Sequence, residues 1–135
     1  MNYKEAYLQA MDNEGIMYTD IDEFHVSVSY SGDNVSNIEV HLFFDQDGDG
    51  LVALRCWSFG RVPDDKRAAV LEVCNSLNFE YRWVKFYIEN DGEVACAIDG
   101  VIDIDTVGQE CIQLVSRMVG VFDEVYPRLM KAVWA

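Results

Sequence analysis

The stretch IEVHLFFDQDGDGLVALRC, Ile38 to Cys56, decides the fold, because two incompatible structures share its letters. Asp45, Asp47, Asp49 and Gly50 stand where a calcium-binding EF-hand loop places its first carboxylates and its turn glycine. Such a loop is flanked by helices and closes on a bidentate Glu at its twelfth position. Here the twelfth position is Cys56, a soft thiol with no affinity for a hard cation. The flanks alternate with period two instead: Ile38, Val40, Leu42 and Phe44 against Glu39, His41 and Phe43, then Val52, Leu54 and Cys56 against Ala53, Arg55, Trp57 and Phe59. Period two is the signature of half-buried strands. Keeping both apolar sets on one side puts Phe44 opposite Val52 and Leu42 opposite Leu54, since a one-residue slip would turn a whole set outward. The stretch is therefore a β-hairpin whose five-residue acidic turn, Gln46 to Gly50, is solvated and expected to hold no calcium.

The same period appears upstream. Phe24, Val26, Val28 and Tyr30 alternate with His25, Ser27 and Ser29, and Ser31 to Ser36 supplies turn residues before Ile38. Two antiparallel strands follow, with a further short strand expected over residues 16 to 21. Before them, Tyr3, Ala6, Tyr7, Ala10 and Met11 have the spacing of a one-sided helix, which Gly15 ends.

Downstream, Val62-Pro63-Asp64-Asp65 reads as a helix start, with Ala69, Val70, Val73, Cys74 and Leu77 as its apolar face. Strands are expected over Trp83 to Glu89 and Glu93 to Asp99, joined by Asn90-Asp91-Gly92 as a three-residue hairpin loop with a left-handed glycine. Thr106 with Gln109 has the spacing of a capping box, and Cys111, Leu114, Val115, Met118, Phe122, Val125, Leu129 and Val133 keep helical spacing beyond it. Pro127 removes a backbone donor, which predicts a kink or break near Asp123 to Tyr126. The expected fold is α+β, an antiparallel sheet of about five strands in α-β-β-β-α-β-β-α order, forming one domain over residues 1 to 135.

Composition narrows the function. A formal net charge of −14 repels phosphate backbones and anionic membrane surfaces, so neither nucleic acid nor membrane is an expected partner. The N-terminus has no continuous apolar run of the kind a secretory signal carries, which points to the cytoplasm. Cys56, Cys74, Cys96 and Cys111 are far apart, show no C-x-x-C pair and fall on apolar faces, so they read as buried hydrophobes.

No nucleophile motif or phosphate loop is present, and no catalytic residue, metal ligand or cofactor is assigned. His25 and His41, with Glu39, project from neighbouring strands and could chelate zinc. Without corroborating spacing, however, they read first as surface histidines. The candidate site is the outward sheet face, where His41, Phe43, Arg55, Trp57 and Phe59 form an aromatic patch suited to a protein partner. The N-terminal or C-terminal helix covering that face is the alternative.

Two stretches carry a family resemblance: RVPDDKRAAVLEVCNSLNFEYRWVKFYIENDGEVACAIDG, Arg61 to Gly100, and FDEVYPRLMKAV, Phe122 to Val133. A V-P-x-x-K-R helix, a strand ending in K-F, an N-D-G-E hairpin and a final helix with Y-P-x-L-M together resemble the YbjN family of small bacterial proteins. The resemblance implies a fold similar to type III secretion chaperones, a tendency to dimerise, and a sensory-transduction or stress-regulatory role without established enzymatic activity. Lys85 and Phe86 match the family pattern but carry no assigned chemistry. The four cysteines and DQDGDG are not part of that pattern.

Overall fold

A computed structural model describes residues 1 to 135. The elements run α1 (Tyr3–Glu14), β1 (Thr19–Asp22), β2 (His25–Tyr30), β3 (Ile38–Phe44), β4 (Leu51–Cys56), α2 (Arg67–Glu80), β5 (Lys85–Ile88), β6 (Val94–Val101) and α3 (Val107–Trp134). The six strands form one antiparallel sheet in the order β1-β2-β3-β4-β6-β5. The sixth strand is β1, which overlaps the short strand expected over residues 16 to 21 and pairs with β2 across a register shift between Asp20 and Asp22.

The Ile38 to Cys56 hairpin has the register its apolar sets demand, with Phe44 opposite Val52 and Leu42 opposite Leu54. Twenty-eight buried residues make a single core, to which the inward rows of β2, β3, β4, β5 and β6 and the apolar stripes of all three helices contribute. Alpha-helix α3 lies against β3 and β6, α2 against β5 and α3, and α1 against α3. All four cysteines are free and buried, Cys56 lying opposite Cys96 in the sheet. Burial pushes the Cys74 thiol up to about 11 and the Cys111 thiol up to about 12, so neither is a thiolate at neutral pH.

Local chemistry sets the ends of the elements. Asn2 and Glu5 form a reciprocal capping box at the start of α1, and Gly15 ends it in the left-handed region at φ 68°. The Asn90 to Gly92 loop closes as expected, with Gly92 at φ 91° and the Glu89 amide donating to the Glu93 carbonyl at 2.8 Å. Helix α2 begins as a 3-10 turn over Asp64–Lys66 after Pro63, and Ala69 lies at the edge of its inward stripe. Val70, Cys74 and Leu77 are buried, while Ala69, expected inside, is exposed.

Three further expectations are corrected. Thr106 makes no side-chain cap, its backbone at φ −124° and ψ 3° not being the extended conformation of an N-cap, and its hydroxyl donates to the Glu110 carboxylate. The strand expected from Trp83 begins only at Lys85, since the Val84 amide donates back to the Arg82 carbonyl at 2.7 Å across Trp83, which sits at φ 70°. That is the sterically costly form of the γ-turn, rare for a bulky side chain. Finally, of the kink or break expected at Pro127 the break does not occur, and α3 runs on as one 28-residue helix. The carbonyl four residues earlier, which proline cannot satisfy, belongs to Asp123, and it accepts from the Asn34 side-chain amide at 3.0 Å.

Asp123 does more than accept one bond. Its carboxylate receives the backbone amides of Asp33, Asn34 and Val35 at 2.8–3.0 Å, fastening the β2–β3 loop to the middle of α3. A Cβ on Gly32 would come within 2.3 Å of the Asp123 carboxylate oxygen, so this close approach requires glycine.

Candidate functional site: the outer face of the sheet

The helices occupy one face of the sheet, and the opposite face carries only its own side chains. Register defines two rows across it. One runs Ser27, His41, Arg55, Ala97, Lys85, and the next runs His25, Phe43, Ala53, Asp99. Four of the five candidate residues, His41, Phe43, Arg55 and Trp57, stand together here. His41 and Phe43 rings are 6.3 Å apart, His41 and Trp57 5.5 Å, and Phe43 and Trp57 6.4 Å in an edge-on arrangement.

Phe59 does not join them. A turn from Trp57 to Gly60, closed by a 3.2 Å bond, redirects the chain after β4. Phe59 then packs against Tyr126 of α3 at 5.5 Å, on the helix side. The alternation that placed it outward assumes a strand continuing past Cys56, and none does.

Long side chains lie flat over small ones on this face. Arg55 Nη1 reaches Asp99 Oδ1 at 2.9 Å and the carbonyls of Leu54 and Ile98 at 2.8 and 3.3 Å. Burial would lower the pKa of its guanidinium, but the bond and charge of Asp99, with Tyr87, raise it overall. Trp57 Nε1 donates to Glu89 Oε2 at 3.2 Å, reaching over β6 toward the end of β5. Ala95 and Ala97, facing outward, are consequently buried at 0% and 7% exposure without any helix above them. Leu51, Tyr87 and Val101 extend the apolar surface and are 46%, 40% and 78% exposed. Alternation within β5 and β6 carries the signal for Tyr87 and Val101, which lie out of phase with the inward Phe86, Cys96 and Ile98.

The two histidines meet diagonally rather than directly across, because His41 is opposite Ser27 and His25 opposite Phe43. His25 Nε2 lies 2.8 Å from His41 Nδ1, and His41 Nε2 lies 3.1 Å from Glu39 Oε1. Phe43 stacks on His25 at 4.2 Å and 25°. Burial lowers the His25 pKa, and the neighbouring His41 adds to that. The three groups form a chain, Glu39 to His41 to His25, in which each His41 nitrogen has a different neighbour.

Two acidic clusters sit at hairpin turns. The carboxylate oxygens of Asp45, Asp47 and Asp49 lie within 4.8 Å of one another, as do those of Glu89, Asp91 and Glu93. The first is the turn between β3 and β4, where the twelfth residue of an EF-hand count, Cys56, is buried in the sheet.

An antiparallel six-stranded sheet with three helices on one face is an α+β fold of the type III secretion chaperone-like kind. The chain belongs to the YbjN family, whose model, described as "Putative bacterial sensory transduction regulator", matches residues 9–129. The crystal structure of YbjN from E. coli, described as "a putative transcription regulator", superposes with a TM-score of 0.66 at 10% identity, covering 93% of this chain and 92% of that one. A chain of the heterodimeric ExoU-SpcU complex from the type III secretion system of Pseudomonas aeruginosa is similar with a TM-score of 0.57 at 14% identity, covering 93% and 95%. No curated protein matches the sequence. No helix is long and apolar enough to cross a membrane.

Proposed function

We propose that this protein is a non-enzymatic, cytoplasmic regulatory or chaperone-like module, one domain over residues 1 to 135, which binds a protein partner through the outer sheet face and pairs with a second copy of itself. The observation that carries this reading is the aromatic surface around Phe43 and Trp57, extended by Tyr87, Leu51 and Val101, on a face no helix covers. Contiguous apolar surface of this kind is a mark of interfaces, and buried aromatics with an arginine dominate their energetics. His41, Phe43, Arg55 and Trp57 are its centre, and Phe59 is not part of it. The likeness to a chain of a heterodimeric secretion complex supports a protein as the partner class. Trp57→Glu tests the reading. It should weaken self-association or partner capture by a factor of about 30 or more, a loss of ~2 kcal/mol, with the circular dichroism spectrum unchanged. Unaltered assembly by light scattering and unaltered co-purification would refute it.

A second reading, a sensor domain for a metal or small molecule, rests on the contact between His25 and His41 on the same face.

A further inference from the structure

We infer that His25 and His41 form a two-histidine binding site for a divalent transition metal, with Glu39 as the residue that orients His41 rather than as a ligand. The inference gives the sensor reading a ligand and does not depend on protein capture by the same face. It starts from the direction of the ring nitrogens. A neutral imidazole has one N–H and one lone pair, and the partner of one nitrogen decides which is which. The Glu39 carboxylate can only accept, so His41 Nε2, 3.1 Å away, carries the proton and Nδ1 presents its lone pair. That lone pair meets His25 Nε2 at 2.8 Å. A carboxylate holding the far nitrogen of a ligating histidine is the recurrent outer shell of zinc–histidine sites.

Two nitrogens bound to one tetrahedral ion at ~2.0–2.1 Å from it lie about 3.3 Å apart. The pair therefore needs to open by about half an ångström, and the proton that His25 directs from Nε2 at His41 has to sit on His25 Nδ1 instead, which is the neutral tautomer whose Nε2 lone pair can ligate. Both rings have limited freedom to do otherwise. Phe43 stacks on His25, and His41 is flanked by Trp57 and Glu39, with its side chain 19% exposed. Imidazole nitrogens select Zn2+, Cu2+ or Ni2+ over Ca2+ and Mg2+. The aspartate turn at the sheet's end, with oxygen donors only, is a separate cluster and serves as the internal control.

The test titrates tag-free protein with Zn2+ by calorimetry, and with Cu2+ while following Trp57 fluorescence in a Trp83→Phe/Trp134→Phe background, both of those tryptophans being exposed. One Zn2+ per chain is expected, abolished by His25→Gln and by His41→Gln, and weakened about 10–100-fold by Glu39→Gln. Cu2+ should quench Trp57, which lies 5.5 Å from His41. Asp45→Asn/Asp47→Asn/Asp49→Asn should leave the Zn2+ affinity unchanged. No binding, binding insensitive to both histidine changes, or loss of the site in the aspartate variant would each overturn the inference. Trp57→Glu assembly data are independent of all these outcomes, so failure of the metal site and failure of protein capture are distinguishable.

Discussion

Tyr7 is fully buried against Phe44, and its hydroxyl has no hydrogen-bond partner in the protein. Burial first, then the neighbouring Cys111 and Tyr30, push its ionisation far above the ordinary tyrosine range, so the group stays neutral. A buried donor without a partner costs its full desolvation, which phenylalanine of the same shape avoids. Tyr7→Phe should be neutral to about 1 kcal/mol more stable by urea denaturation, and a loss above that size would mean the hydroxyl is bonded in solution. Asp123 is the opposite case. Partial burial raises its pKa, but the amides of Asn34, Asp33 and Val35 outweigh that and hold it below the ordinary 3.8. Because the folded value is the lower one, its contribution is complete above the unfolded pKa and disappears as pH falls through the folded pKa. Wild type should therefore lose more stability than Asp123→Asn between about pH 5 and pH 2, and parallel pH profiles would disprove it. Neither environment is legible in the chain, since Asp123 meets residues about ninety positions away.

Among elements, the crossing of α1 and α3 depends on one residue without a side chain, Gly108. A Cβ on Gly108 would lie 2.3 Å from the Ala10 Cβ. Gly108→Ala should cost about 1–3 kcal/mol by overpacking, and Ala10→Gly in the same chain should recover part of it, a coupling that a double-mutant cycle measures. Additive changes would show that the two helices do not share the contact. Strand pairing was readable because side chains alternate with period two and the inner face tolerates only apolar rows. Phe44 against Val52 follows from that alone. The histidine contact is a diagonal consequence of the same register. Phe59 misled for a physical reason: alternation holds only while the strand continues, and the turn at Trp57 to Gly60 ends it. For another reason, the break expected at Pro127 does not occur. The carbonyl it leaves free finds a donor in Asn34, supplied by a loop that only the fold brings near.

At the scale of the molecule, the net charge of −14 acts on every part of the chain. Compaction brings the carboxylates together, so self-repulsion opposes folding and salt should relieve it. Raising NaCl from about 10 mM to about 0.15 M shortens the screening length from about 30 to about 8 Å. The thermal midpoint should rise by about 2–5 °C, and a fall would indicate that attractive pairs such as Arg128 with Glu80 dominate instead. The sequence by itself determined the α+β class, the inward rows, the hairpin in place of a calcium loop, and the cysteines as core residues. Each follows from local periodicity and side-chain polarity, which act between near neighbours. Tertiary structure alone decided which sheet face the helices cover, where Phe59 goes, how Asp123 clamps the β2–β3 loop, and that His25 and His41 touch. Those depend on distances between residues remote in the chain, which no periodicity encodes.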